Sequence, residues 1–170
     1  MMPIIIILFL IGCIIGWCIE VIYRSIQFKK LINPGFLKGP YLPVHGMGLV
    51  GIYFISLANI SLILKIILFI VLTTGMELIL GLISKKYFKL ELWDYSKDKF
   101  NYKGVICPLY SLYWLGLSLI IYYLIAYFTA LILFVSKFQL IILMIYALMF
   151  IDLAFIIKNL LNGKHSFKIK

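Results

Sequence analysis

The chain has 170 residues, 65% hydrophobic and 13% charged, with a formal charge of +10 at pH 7. Soluble domains run at about 45–50% apolar and about 25% charged, so this composition excludes an ordinary soluble domain and belongs to a membrane protein. The length holds about five membrane helices of ~20 residues each, with short loops and no room for a soluble domain. The cations do not form a nucleic-acid reading surface. They cluster where apolar runs end, the pattern that orients a membrane protein and meets anionic lipid. The lipid bilayer is therefore the expected partner, and nucleic acid is not.

The expected fold is all-α, a single membrane domain over residues 1–170 with helices over about 3–26, 43–58, 62–84, 104–128 and 138–157. The first apolar run is not preceded by a cation and is too long for the core of a signal peptide, so it reads as a membrane span. At every fourth position it carries Gly12, Gly16, Glu20 and Arg24, which share one helical face. The glycines permit close approach of a neighbouring helix. Glu20 and Arg24 form an i,i+4 pair in the favourable order. Trp17 and Tyr23 read as packing or interface residues.

The loop after Lys29-Lys30 contains Asn33-Pro34-Gly35, Gly39-Pro40 and Pro43, which disfavour regular helix. Phe36, Leu37, Tyr41 and Leu42 make it too apolar for a plain solvated linker, so it is expected to lie in the interface or dip between helices. Pro43 suits the first turn of a second span, and His45, Gly48 and Gly51 share one side of its start. Asn59-Ile60-Ser61 is a tight turn, after which Lys65 can snorkel to the far interface. Glu77 lies inside the third span, with Thr73, Thr74, Gly81 and Ser84 as a small, polar stripe around it.

The next loop holds Glu91, Trp93-Asp94-Tyr95-Ser96, Asp98 and Phe100-Asn101 before Gly104 opens the fourth span. The fifth span contains Asp152, and a basic tail with His165 follows. Fourteen of the sixteen cations flank or fill the first and third loops and the tail, while only Lys65 and Lys137 lie on the other side. The N-terminus is thus expected outside and the C-terminus inside, with both Gly/Pro-bearing loops facing the cytoplasm.

Lys38-Gly39-Pro40-Tyr41-Leu42-Pro43 and Lys103-Gly104-Val105-Ile106-Cys107-Pro108 both read KGxxxP. Two helix hairpins as parallel repeats would explain this; so thin an identity is equally compatible with chance. Glu20, Glu77 and Asp152 each precede the first cation of their inner flank by four to eight positions. Ionisable groups in a membrane usually face the bundle interior, so the three acids suggest a polar layer near the cytoplasmic face, with Arg24 as its cation. The alternative is that they sit in the headgroup zone and pair with lysines.

The three cysteines, Cys13, Cys18 and Cys107, have no CxxC pairing and no neighbouring His, and read as small residues at helix contacts. GxxxxGK[ST], HExxH and GxSxG are all absent, so no nucleotide site of that kind, no metal and no activated nucleophile is expected. No cofactor and no catalytic residue follow from the sequence. Acid–base work could rest only on Glu20, Glu77, Asp94 and His45.

The order Gly16-Trp17-x-x-Glu20, Asn33-x-Gly35-Phe36-Leu37-x-Gly39-Pro40, Pro43-Val44-x-Gly46, Glu77, Trp93-Asp94-Tyr95-Ser96 and Phe100-Asn101-x-x-Gly104 resembles the bacterial putative ABC-transporter type IV (CmpB) family. Pro34 and His45 stand where that family commonly has Arg and Tyr, so a role for that Arg in anion contact does not carry over. The resemblance implies a multi-pass protein of the bacterial cytoplasmic membrane that serves as the membrane subunit of an ATP-driven transporter, with a separate ATPase or further copies of itself as partners. On that expectation Glu20, Arg24, His45, Glu77 and Asp152 line a substrate or coupling path. Asn33–Pro43 and the WDYS loop, through Asn101 and Gly104, form the cytoplasmic cap or docking surface. A small inner-leaflet enzyme or lipid-binding protein, or a non-catalytic scaffold, are the other readings.

Overall fold

The computed structural model describes residues 4–35, 37–89 and 91–161. Phe36, the start of the first span at Pro3, the loop residue Leu90 and the tail with His165, Lys164, Lys168 and Lys170 lie outside the described residues. Six α-helices account for most of the rest: α1 (Ile4–Phe28), α2 (Pro43–Leu57), α3 (Leu62–Ile83), α4 (Pro108–Tyr123), α5 (Ile125–Val135) and α6 (Gln139–Leu161). A π-helical turn over Ser84–Phe88 prolongs α3. Among the described residues there is no strand, only an isolated antiparallel bridge between Tyr102 and Ile106.

Three helical stretches, Ile4–Phe28, Leu62–Tyr87 and Gln139–Asn159, are long and apolar enough to cross a membrane. A fourth arises if α4 and α5, bent by 72° at Leu124, are taken together. With 15 residues, α2 extends only about 22 Å at 1.5 Å per residue, short of the ~30 Å hydrocarbon core. The expected five spans exceed what helix length and composition support. Where one helix over residues 104–128 is expected, the helix begins at Pro108 and breaks at Leu124. Lys103 and Gly104 both have positive φ, which keeps them out of a right-handed helix, and Pro108 then supplies the first helical residue. The kink contains neither Gly nor Pro; Leu124 adopts φ −95° and ψ 14°, in the sparsely populated bridge region.

The described chain divides into two compact units, residues 4–49 with 130–161, and residues 50–129. In the first, Ile7, Leu8, Leu10, Ile11, Leu49, Ile142 and Ile156 are buried among the helices. α1 and α2 approach closely at two glycines. A methyl group at Gly46 would lie 2.6 Å from both Cys13 Sγ and the Phe9 carbonyl oxygen, and one at Gly12 would lie 2.8 Å from Gly46 Cα. α6 is tied to α1 by the Tyr146 hydroxyl, which donates to the Ile6 carbonyl at 2.7 Å.

In the second unit α3 packs on α4. The buried positions of α3 are Lys65, Phe69, Thr73, Glu77 and Gly81, one stripe at a spacing of four that a helix stacks on a single face. Lys65 does not snorkel. It is buried, donates from Nζ to the Ser56 carbonyl at 2.6 Å and lies 4.7 Å from the centre of the Tyr122 ring. A cation at the last turn of α2 meets the negative end of that helix dipole, and the ring face adds a cation–π contact. These two contacts hold the buried ammonium in place.

The glycine contacts predict opposite outcomes for two similar substitutions. Gly46→Ala should lower the stability of purified protein by about 1–3 kcal/mol through overpacking. At Gly75 an added methyl meets nothing within 4 Å, so Gly75→Ala should be neutral or stabilise by up to about 1 kcal/mol of helix propensity. Thermal melts in detergent measure both.

Candidate functional site

In the first unit the loop after α1 is folded around Asn33. Its side-chain oxygen accepts from Trp17 Nε1 at 2.8 Å and from the Gly35 amide at 3.3 Å, while its Nδ2 donates to the Lys38 carbonyl at 2.9 Å. The Asn side chain thus stands in for backbone partners that a Pro-rich loop cannot provide. The Leu42 amide ties the loop's end to the Cys13 carbonyl of α1 at 3.0 Å, and Pro43 opens α2 directly after.

A carboxylate from α6 completes this loop. Oδ2 of Asp152 accepts from the Lys38 amide at 2.7 Å, the Gly39 amide at 3.0 Å and the Tyr41 hydroxyl at 3.2 Å. Hydrogen bonds to a charged acceptor are short and about twice as strong as neutral ones, so three converging donors make Asp152 the main fastener of residues 38–41. Burial, the Asp152 charge and its hydrogen bond together raise the Tyr41 pKa above its usual value, so the phenol stays a donor. The Lys38 ammonium rests 4.3 Å over the Phe155 ring. Elsewhere in this unit, Arg24 Nε donates to Glu20 Oε1 at 2.8 Å, one turn beyond Gly16, whose missing side chain makes room for the His45 imidazole.

The second unit builds its loop from the WDYS residues. Trp93 Nε1 donates to the Val105 carbonyl at 2.7 Å. Asp94 Oδ1 accepts from the Ser96 amide at 2.9 Å, an Asx turn. The Tyr95 amide donates to the Gly104 carbonyl at 3.0 Å, its ring stacks 4.0 Å from that of Tyr110, and its hydroxyl donates to Glu77 Oε1 at 2.9 Å. Asn101 plays the part that Asn33 plays in the other loop: Nδ2 donates to the Asp98 carbonyl at 2.9 Å and Oδ1 accepts from the Gly104 amide at 3.0 Å. Gly104 has φ +66° and stands where a methyl would lie 3.1 Å from Asp94 Oδ1, so both backbone and space favour a glycine there. Lys85 Nζ holds the loop to the end of α3 through the Lys103 carbonyl at 3.1 Å.

The structure therefore brings Trp93, Asp94, Tyr95, Ser96, Asn101 and Gly104 together with Glu77, and Asn33, Gly35, Gly39 and Pro40 together with Asp152. Glu20, Arg24 and His45 lie in the same unit as Asp152 and Glu77 in the other. Gly46 serves helix contact. The sequence did not single out Tyr41, Tyr110 or Lys85 as partners, nor Trp17 as a donor to Asn33. The available signal was the loops' own unsatisfied amides, which demand acceptors, and the carboxylates, which demand donors. Among the described residues no three His, Cys, Asp or Glu side chains are grouped so as to hold a metal ion.

All-helical architecture with apolar helices of membrane-crossing length defines a helical membrane protein. The chain belongs to the family described as Putative ABC-transporter type IV, whose family model matches residues 7–157. No curated protein and no solved structure matches the chain.

Two outcomes follow from the wiring. Asp152→Ala should strip the Lys38 and Gly39 amides of their acceptor, and hydrogen–deuterium exchange of residues 37–42 should accelerate while the middle of α1 stays protected. Asp94 has a carboxyl pKa below its usual value of 3.8, chiefly through the Ser96 amide and then the Ser96 hydroxyl. Since the folded value is the lower one, its stabilisation is full above the unfolded value and lost as pH falls through the folded one. The stability gap between wild type and Asp94→Asn should therefore be present at neutral pH and close only below pH 3.8, as read by paired thermal melts.

Proposed function

We propose that this protein is the membrane subunit of an ATP-driven transport system, a multi-pass protein of the bacterial cytoplasmic membrane whose two loops face the cytoplasm. Membership of the family supports the transport reading, and the lopsided placement of the lysines supports the orientation. The sequence carries no GxxxxGK[ST] stretch, so ATP hydrolysis is assigned to a separate subunit that docks on residues 31–43 and on the WDYS segment.

The observation that carries the reading is the bond from Tyr95 to Glu77. It joins a loop to a carboxylate buried in an apolar helix, so a partner that shifts the loop changes what holds the acid. Withdrawing a hydrogen-bond donor from a buried carboxylate changes its free energy, which is a way to pass a docking event to the interior. Glu20, Arg24 and His45 form the polar part of the proposed path in the other unit. Asp152 is assigned to holding the Lys38–Gly39 loop. A scaffold is the second reading, favoured by the same geometry, since Asp152 and Glu77 each fasten a loop.

Photo-crosslinkers at Leu37 and Ser96 in native membranes test the partner. Capture of an ATPase at either site is expected. Capture of no protein at both, with a lipid turned over or tightly held by the purified chain, would transfer the lead to the lipid-enzyme reading. Glu77→Gln separates transport from scaffolding: the amide still accepts from Tyr95, so a scaffold keeps wild-type melting and assembly without consequence, whereas a transport subunit loses partner-stimulated ATP hydrolysis at unchanged melting temperature. For orientation, single cysteines at Lys38 and Lys97, with Cys13, Cys18 and Cys107 replaced, should be shielded from an impermeant thiol reagent in intact cells, and one at Asn59 should react.

A further inference from the structure

The tip of the WDYS loop presents an aromatic side chain to solvent at a backbone cost. Phe100 is 89% exposed and has φ +58°, a left-handed conformation that a bulky residue avoids. The loop holds it there on purpose-built contacts. Asn101 donates to the carbonyls of Ser96 and Asp98 and accepts from Gly104, and the Asp98 amide donates to the Tyr95 carbonyl at 2.9 Å. Strained conformations persist where the surroundings over-determine them, and they gather at working sites.

The neighbours define the chemistry of what Phe100 meets. Lys97, Lys99, Tyr102 and Lys103 are all exposed, and Lys103 Nζ lies 5.2 Å over the Tyr102 ring. Of the nearby acids, Asp94 is engaged in its turn with Ser96 and Glu91 with Lys85 at 3.3 Å; Asp98 lies within the tip, where three lysines against one carboxylate over residues 97–103 leave a formal charge of +2. Lys85 also fixes the base of the tip to the end of α3, just where the membrane-crossing stretch Leu62–Tyr87 stops. The base of the tip is thereby tied to the end of that stretch, where a spanning helix of this length meets the lipid headgroups. Exposed aromatics that sit at that depth, surrounded by lysines, are complementary to anionic phospholipid.

We propose that residues 97–103 form an anionic-phospholipid clamp. Phe100 and Tyr102 enter the boundary between headgroup and acyl chain, and Lys97, Lys99 and Lys103 meet the phosphate. The clamp holds the WDYS loop against the membrane whether or not an ATPase binds, so it stands apart from the transport reading.

The test replaces Phe100 by p-benzoylphenylalanine in the full chain and irradiates it in nanodiscs of phosphatidylcholine with or without phosphatidylglycerol, and in native membranes. Lipid adducts enriched in phosphatidylglycerol are expected. Each lysine at an anionic surface is worth roughly 1 kcal/mol, so that enrichment should fall about fivefold in each of Lys97→Gln, Lys99→Gln and Lys103→Gln. A protein adduct as the main product in native membranes, or equal lipid yields with and without phosphatidylglycerol, overturns the clamp. Phe100→Asn supplies the second arm, because Asn accepts a left-handed backbone. Its melting temperature in detergent should hold or rise. A drop would mean that Phe100 serves the loop's own fold, and would overturn the proposal as well.

Discussion

Polar backbone at the edge of an apolar bundle has few places to find partners, because lipid offers none and Pro-rich segments cannot pair with themselves. The rest of this structure depends on how that shortage is met. Asp152 and Glu77 sit in helices where a lone carboxylate would be costly, and residues 38–41 and 93–104 are loops full of donors. Each acid accepts from a loop: Asp152 Oδ2 takes three donors and Glu77 Oε1 takes one. Tyr supplies a hydroxyl in both cases, from Tyr41 to Asp152 and from Tyr95 to Glu77. A phenol brings a long apolar body with a polar tip, which lets a loop reach an acid inside an apolar helix at little desolvation cost.

The loops also share an asparagine hub, and this shows where the KGxxxP similarity stops. Pro43 and Pro108 each open a helix, and Asn33 and Asn101 each gather nearby backbone groups. The Lys-Gly pairs differ, however. Lys103 and Gly104 both have positive φ, whereas Lys38 and Gly39 do not. The Gly39 amide goes to the carboxylate of Asp152, while the Gly104 amide goes to Asn101 within its own loop. The common pattern at this level is proline-initiated helices after Asn-braced loops, which local chemistry can produce without a duplicated hairpin.

What the sequence made legible follows from how local each signal is. Apolar runs, helix-opening prolines and the i,i+4 pair Glu20–Arg24 are properties of short segments, and they read directly. Of the small, polar stripe Thr73, Thr74, Gly81 and Ser84 around Glu77, all but the half-buried Thr74 are buried. Partners separated by long stretches of chain did not read: Asp152 meets a loop 113 residues away, and no local pattern says which of several acids takes those amides. The burial of Lys65 is illegible for a related reason. Snorkelling is the default for a lysine near a helix end, and the default fails when the carbonyl end of another helix and an aromatic face are packed against it. The break at Leu124 has no Gly or Pro to mark it.

The stiffness of these loops bears on the transport reading. A floppy connector would absorb the push of a docking subunit by rearranging itself. The WDYS segment has few ways to do so, because Trp93, Asp94, Asn101 and Gly104 pin its backbone at separate points. On the proposed transport reading, a displacement would then be carried to Tyr95 and the Glu77 bond. Losing one hydrogen bond to a charged, buried group changes its free energy by about 1–3 kcal/mol, and coupling between distant sites in switching proteins usually has the same size. One such bond is thus of the size that such coupling needs. It is too weak to hold the loop shut by itself, and the pinned backbone explains why a single bond could matter to both ends.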